Sequence, residues 1–425
     1  MTQRQRWALF TMFALAGVLN LVDRQTISVL KPEIAAELGW TDNDYGTLAA
    51  WFQGSMAIAL LGTGWLADRL GVRWANAIGV FSWSVVALFH TVARSLTSFI
   101  VVRAALGATE AMATPAGIKM MAGIFPPHMR STGFGIANAI SSVSGILAPI
   151  LIPLLALLLG WRGAFLAAGA AGIVWAGAWL LLTRRIKFET GVPAVDPLGL
   201  DESGATPKSD TIFRDRYTYA IAGAKVLSDS TWFVMLFWMP DLLHRQFGLT
   251  GVAIGPPLAL AYAGAAAGAL IGGTTATYLL GRGVPLNRVR KGVMLVSALF
   301  VLPLPLVLSA HGPWGAAAIL ALVLAAHQSF STNLFALITD VAPQDRIGRV
   351  VGFGAFAGNV GGTIVVKVAG LVLAAGLGYF PLLAYCAVSY LLAIGWIQLL
   401  LPHLEAEGSR PTAAAAAQMG HQRGA

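Results

Sequence analysis

Charge is the scarcest feature of these 425 residues. Asp, Glu, Lys and Arg together make up 11%, against about 25% in an ordinary soluble domain. So few charges cannot cover a water-facing surface of this size, which excludes a free-standing soluble protein. Cysteine is nearly absent as well. The one thiol, Cys386, cannot form a disulfide within the chain and reads as packing inside an apolar run. The seven histidines are scattered without metal-ligand spacing. Neither a phosphate-cradling glycine loop nor a Gly-x-Ser-x-Gly elbow occurs. No enzyme activity, metal or cofactor is expected.

What the chain has in abundance is apolar length. Hydrophobic residues make up 57%, and the mean hydropathy is +0.72. Windows of about 20 apolar residues, the length that crosses a bilayer as a helix, recur from end to end. About twelve are readable, near 7–30, 46–66, 74–93, 97–120, 131–158, 163–182, 217–240, 254–280, 292–310, 314–338, 349–375 and 379–401. The expected fold class is an all-α integral membrane protein. One polar stretch divides the windows six and six: 183–216, "TRRIKFETGVPAVDPLGLDESGATPKSDTIFRDR". Residues 1–182 are therefore read as one six-helix bundle, 183–216 as a linker and 217–402 as a second bundle. The tail 403–425, with "PTAAAAAQMG", reads as disordered. Two helical bundles around a long loop is a transporter organisation.

The formal charge of +9 reports topology and gives no sign of a nucleic-acid partner. With alternating spans and a cytoplasmic N-terminus, most of the 28 basic residues fall on the inner side. They include Arg69, Arg73, Arg184, Arg185, Arg282, Arg288, Arg290 and Lys291. The first outer connection holds Glu33, Glu37, Asp42 and Asp44 against Lys31. That pattern predicts both termini inside a bacterial inner membrane. The lipid bilayer is the expected environment, and the chain is expected to be a monomer.

Glycine, 48 residues, falls in registers: Gly264, Gly268 and Gly272, then Gly354, Gly358 and Gly362. Small-residue stripes let helix backbones approach closely, either as static packing or as surfaces that rock past one another. Between the second and third windows stands "GWLADRLGVR", residues 64–73, with Asp68 beside Arg69 and Arg73. It resembles the Gly-x-x-x-Asp-Arg-x-Gly-x-Arg signature of the major facilitator superfamily. The resemblance implies two pseudo-symmetric six-helix bundles, and a gating role for Asp68, Arg69 and Arg73 in holding one access state closed. The matching loop of the second half, "GRGVPLNRVRK", keeps basic residues and lacks the aspartate.

Several charges lie inside the spans, where each costs roughly 2.5–3.5 kcal/mol near the bilayer centre on insertion scales. In "RAALGATEAMATPAGIK", Arg103 and Glu110 are seven positions apart and so share one helix face. Counted along the helices, Arg103 falls roughly 9 Å and Glu110 roughly 20 Å below the outer boundary. Asp23 and Arg24 of "LNLVDRQTISVL" fall roughly 6 Å below it. One structural ion pair needs a single cation and a single acid. Two of each on two helices exceed that requirement, and intramembrane ionisable groups are functional candidates. Guanidinium groups offer forked donors that match a carboxylate, and desolvated acids can carry a proton. Arg24 and Arg103 are therefore the candidate holders of an organic anion, and Asp23 and Glu110 the candidate proton-coupling acids.

At these residues the resemblance narrows. "VLNLVDRQTISVLKPEIAAELG", "RAALGATEAMATPAGIK" and "IFPPHMRSTGFGIANAISSVSGILAP" resemble the anion:cation symporter family, with the likeness strongest to bacterial hexuronate transporters. The resemblance implies a proton-coupled symporter that imports a sugar-acid anion such as glucuronate or galacturonate by alternating access. It makes Asn359 of "GFGAFAGNVGG" a polar substrate contact. Gln53, His327, Gln328 and Asn333 are further polar candidates, either for sugar hydroxyls or for interhelical hydrogen bonds. Lys225 and Asp229, four apart, read equally as a structural pair and as a substrate contact. Met56 stands where family members often have tyrosine, which leaves an aldonate, aldarate or tartrate as alternative cargo. Lys119 is expected to snorkel to the inner headgroups unless Pro115 kinks the helix, and Lys367 has no evident role. An exporter is disfavoured because "GILAPILIPLL" is poor in the Gly-Pro pattern of that class. A sugar-acid sensor is disfavoured because loop and tail are too short for a signalling domain.

Overall fold

The computed structural model describes residues 3–124, 127–186, 188, 212–342 and 346–404, with side chains at 118, 122–143 and 348 outside that description. Among the described residues every regular element is helical. The helices are α1 (Gln3–Val29), α2 (Lys31–Leu38), α3 (Asp42–Phe89), α4 (Leu96–Glu110), α5 (Ala113–Ile124) and α6 (Pro127–Thr183). After the polar stretch come α7 (Arg216–Phe247), α8 (Gly255–Gly281), α9 (Leu286–Val301), α10 (Pro313–Val341), α11 (Ile347–Ala374) and α12 (Phe380–Leu400).

Among the described residues, ten helical stretches are long and apolar enough to cross a membrane. Two of them are double. A straight helix of 48 residues, the length of α3, would measure about 72 Å, far more than a bilayer core of about 30 Å. It is instead two helices joined at Gly71 (φ 67°, ψ 169°), and α6 is likewise joined at Gly160 (φ 70°, ψ 167°). Only glycine occupies that region without strain. The result is twelve crossings, as the hydropathy windows predict. Large apolar side chains such as Ile58, Leu157, Val174, Leu270 and Leu399 are exposed around the outside, as lipid contact requires. The chain is a multi-pass membrane protein.

Helix starts follow local chemistry. Thr41 and Asp44 form a reciprocal capping box at α3, and Ser95 and Ser98 form another at α4. The α4–α5 break is the informative interruption. Pro115 has no N–H to give the carbonyl of Ala111, four residues earlier. Thr63 Oγ1 donates to that carbonyl instead, at 3.4 Å, so the freed group is not left bare in an apolar surround.

The odd-numbered crossings all start from the end that holds both described termini; the opposite end is called distal below. There Trp161 Nε1 and Arg162 NH1 each donate to the Glu37 carboxylate at 2.6 Å. These bonds hold that carboxyl below the ordinary glutamate value.

The glycine registers resolve into packing inside the second bundle. A Cβ at Gly264, Gly268 or Gly272 would run into the backbone or side chains of α10, and one at Gly354, Gly358 or Gly362 would run into α7. A close approach between the two halves lies elsewhere. A Cβ on Gly46 would sit 2.9 Å from the Cα of Gly370, joining the distal ends of α3 and α11.

Candidate functional site: a buried cluster of two arginines and two acids

The opening turns of α3 and the last turns of α1 and α4 converge on one ring. The guanidinium carbons of Arg24 and Arg103 each lie 5.7 Å from the centroid of Phe52. Gly107 makes this convergence possible, because its α-carbon faces the Phe52 carbonyl and the Ser55 hydroxyl of α3. Any side chain there would hold α4 away.

Arg24 Nε donates to Glu110 Oε2 at 2.7 Å, and its NH2 approaches Met56 Sδ at 3.5 Å. Met56 is thus a weak acceptor for the same guanidinium. Arg103 is 1% exposed, and none of its three guanidinium nitrogens has a hydrogen-bond partner among the described residues. Among the described residues both carboxylate oxygens of Asp23 are also buried without partners, and Asn20 lies beside the Glu110 carboxylate. Asp23 lies within electrostatic reach of Glu110, Arg103 and Arg24. The structure therefore brings together all four charges that the sequence singled out. One difference is clear: the helix counts put Glu110 roughly 14 Å deeper than Arg24, yet the two are directly bonded, so α1 and α4 do not share the boundaries that those counts assumed.

Across the bundle boundary, Gln53 Nε2 donates to Asn359 Oδ1 at 2.8 Å. These two amides, more than 300 residues apart, are in direct contact. Gln53 keeps an unpartnered Oε1, and the amide of Asn359 also donates to Ala355 O.

The polar candidate Asn333 is not assembled with them. Asn333 donates to Gly272 O and Ser329 O and accepts from Arg290 NH1 at 3.3 Å. Its groups are thus used to pack α10 against α8 and α9. Gln328 is half-buried on the same helix. Lys225 Nζ pairs with Asp229 at 2.7 Å, over the ring of Phe335. His327 Nδ1 lies 2.5 Å from the Tyr390 hydroxyl, which donates to Ser228 O, and Trp232 stacks on its imidazole.

The signature loop differs from expectation in its partners. Asp68 pairs with Lys119, which also donates to Ala67 O. Lys119 does not snorkel, because the α4–α5 break turns it toward the loop. Arg69 lies over the Trp65 ring, and Arg73 over Trp74 while reaching Leu180 O at 3.4 Å. Lys367, which had no evident role, donates to Asn43 Oδ1 at 2.5 Å and Thr47 Oγ1 at 2.7 Å. It ties α11 to the distal end of α3. Neither partner could be read from the sequence.

Sequence reasoning also missed a cavity of about 260 Å³ inside the first bundle. It runs between α1, the second arm of α3 and the α4–α5 break, past Phe13, Asn20, Arg24, Asn76, Trp83 and Thr114. Only apolar periodicity marked those helices, and a void between packed helices leaves no trace in it.

Residues 13–366 match the model of the Major Facilitator Superfamily. The chain belongs to that superfamily. It is 28% identical to the D-galactonate transporter of Escherichia coli O6:H1, over 92% of this chain and 96% of that one. It is 26% identical to the hexuronate transporter of Escherichia coli K12, over 91% and 92% respectively. A galacturonate transporter of Dickeya chrysanthemi is 26% identical over 57% of this chain and 73% of its own length. Among solved structures, a bacterial homologue of the human lysosomal transporter Spinster, in an inward-facing and occupied conformation, superposes with a TM-score of 0.76. That match covers 94% of this chain and 97% of the other, at 18% identity, and it bears on the fold. As a member of this superfamily the chain is a membrane transporter and not an enzyme; the relatives named above are transporters of sugar acids.

Proposed function

We propose that this major facilitator protein imports a sugar-acid anion, a hexuronate such as glucuronate or galacturonate, together with protons by alternating access. One observation carries the reading: Arg103 is buried with every guanidinium nitrogen unpartnered, beside two acids and a second arginine. A buried guanidinium without a partner is costly, and a carboxylate that docks on its fork supplies the missing bonds.

The Arg24–Glu110 bond gives the coupling a physical form. While Glu110 is charged it occupies Arg24 Nε and competes with the cargo carboxylate for the same donor. When Glu110 takes up a proton its charge is lost and its hold on Arg24 weakens, so Arg24 turns to the cargo beside Arg103. Asp23, buried with both oxygens unpartnered, is the second proton-coupling acid. The Gln53–Asn359 amides are the contacts for sugar hydroxyls, and they lie where the two bundles meet. Placing the basic end of the bundles in the cytoplasm follows the positive-inside pattern; the distal seam then faces outward. Asp68, with Lys119, is the gating element at the cytoplasmic end.

Uptake of radiolabelled glucuronate, galacturonate, galactonate and tartrate, with and without a protonophore, tests the proposal. Hexuronate accumulation that collapses with the protonophore is expected. Accumulation that ignores the protonophore, or entry of none of the four, overturns it. An aldonate is the second reading, favoured by the likeness to the D-galactonate transporter. Galactonate entry without hexuronate entry selects it.

A further inference from the structure

The distal seam between the bundles holds four charges outside the site described above. Lys31 and Asp42 come from the first bundle, Asp241 and Arg245 from α7 of the second. Lys31 Nζ is 2.8 Å from Asp42 Oδ1 and 2.7 Å from Asp241 Oδ1. Arg245 Nε is 2.8 Å from Asp241 Oδ2, and its NH2 contacts Asp42 Oδ1. Each cation touches both carboxylates, so the four close into a neutral ring. Lys31 is 3% exposed and lies 5.0 Å from the Tyr45 ring of its own bundle and 4.5 Å from Trp238 of the other. Tyr379 donates to Asp241 Oδ2, and Tyr45 donates across the seam to Phe237 O at 2.8 Å.

The arrangement has an unusual symmetry of ownership. Of its four contacts, Lys31–Asp42 lies within the first bundle and Asp241–Arg245 within the second. The other two cross the seam. Separating the bundles therefore breaks two contacts and leaves two neutral pairs, one on each side. Stranding a single charge in a buried place costs several kcal/mol, and this ring never does so.

We propose that the Lys31–Asp42–Arg245–Asp241 ring is the distal gate: it closes the seam as one network and opens it by dividing into two self-neutral halves. The ring rests on the alternating-access reading, in which the seam must open and close on every cycle. It adds the element whose energy sets the balance between those states. Because both states are neutral, the gate favours closure without locking it. The partly exposed Arg245 is the side chain that water reaches first as the seam parts.

The test reads seam opening directly. In a Cys386→Ser background, Ala50→Cys places a thiol between Gly46 and Gly54, both of which contact α11. The thiol is one helical turn from each. Its alkylation rate is measured on the purified full-length protein in detergent, where reagent reaches both ends. Lys31→Met and Arg245→Gln should each raise that rate by about tenfold, as loss of one partner unbalances the closed state. Adding Asp241→Asn to Lys31→Met restores neutrality while keeping Arg245–Asp42 across the seam, and should bring the rate back toward the parent value. Unchanged or slower alkylation in both single variants overturns the ring, as does a double variant no slower than Lys31→Met. If Lys31→Met does not fold, Arg245→Gln decides alone, since its side chain is substantially exposed. Alkylation needs no cargo, so a failed ring and a failed sugar-acid reading give separate results: the first in thiol rates, the second in uptake.

Discussion

Arg24 Nε and Glu110 Oε2 are joined at 2.7 Å while Arg103, on the helix that carries Glu110, is left without a partner. Two guanidinium groups on one aromatic ring therefore stand in different states, one occupied and one free. The acid that occupies the first sits within electrostatic reach of the second. This asymmetry gives the cluster a way to exchange an internal carboxylate for an external one.

Glu110→Gln removes the charge that competes for Arg24 but keeps the shape. Proton-driven accumulation should be lost while counterflow of labelled against unlabelled cargo persists. If both survive, Glu110 takes no part in coupling.

Arg103→Lys keeps the positive charge and loses the planar fork. Cargo affinity should fall by about tenfold or more, the loss of one strong forked contact, and Arg103→Gln should abolish binding. Ligand-induced shifts of the melting temperature provide the reading. Equal affinity in Arg103→Lys and the parent would remove the fork from the argument.

Gly107→Ala should destabilise the protein by about 1–3 kcal/mol through overpacking, since its Cβ would lie 2.1 Å from the Phe52 carbonyl. Gly62→Ala, with nothing within 4 Å of the added Cβ, is the control and should melt at or slightly above the parent temperature. Thermal melting in detergent compares them.

Thr63→Val removes the donor that serves the Ala111 carbonyl at the Pro115 break. A loss of about 1 kcal/mol is expected, together with a local change at the α4–α5 junction. Faster proteolysis or hydrogen exchange confined to that junction would report it.

Lys119→Met leaves Asp68 without the partner that the structure gives it. Transport rate should fall several-fold while cargo affinity changes little, because the pair lies at the terminal end and away from the arginine cluster. Pairing the change with Asp68→Asn should recover part of the rate. Loss of affinity instead would place Lys119 in the binding site.

The sequence by itself determined the number of crossings and which four charges meet in the arginine–acid cluster; most of the polar stretch 183–216 lies outside the described residues. Both depend on local quantities: an apolar run as long as the bilayer is thick, and charges too costly to bury without purpose. Helical periodicity also told which residues share a face. It could not tell which neighbour that face meets. Asn333 and Gln53 look alike in sequence, yet one packs α10 against its own bundle and the other bridges to Asn359. Lys119, Lys367 and Lys31 were isolated charges until packing gave them Asp68, Asn43 and Asp241. Those choices belong to tertiary structure, because the orientation of one helix about its axis relative to another is set by side-chain interlock and not by either helix alone.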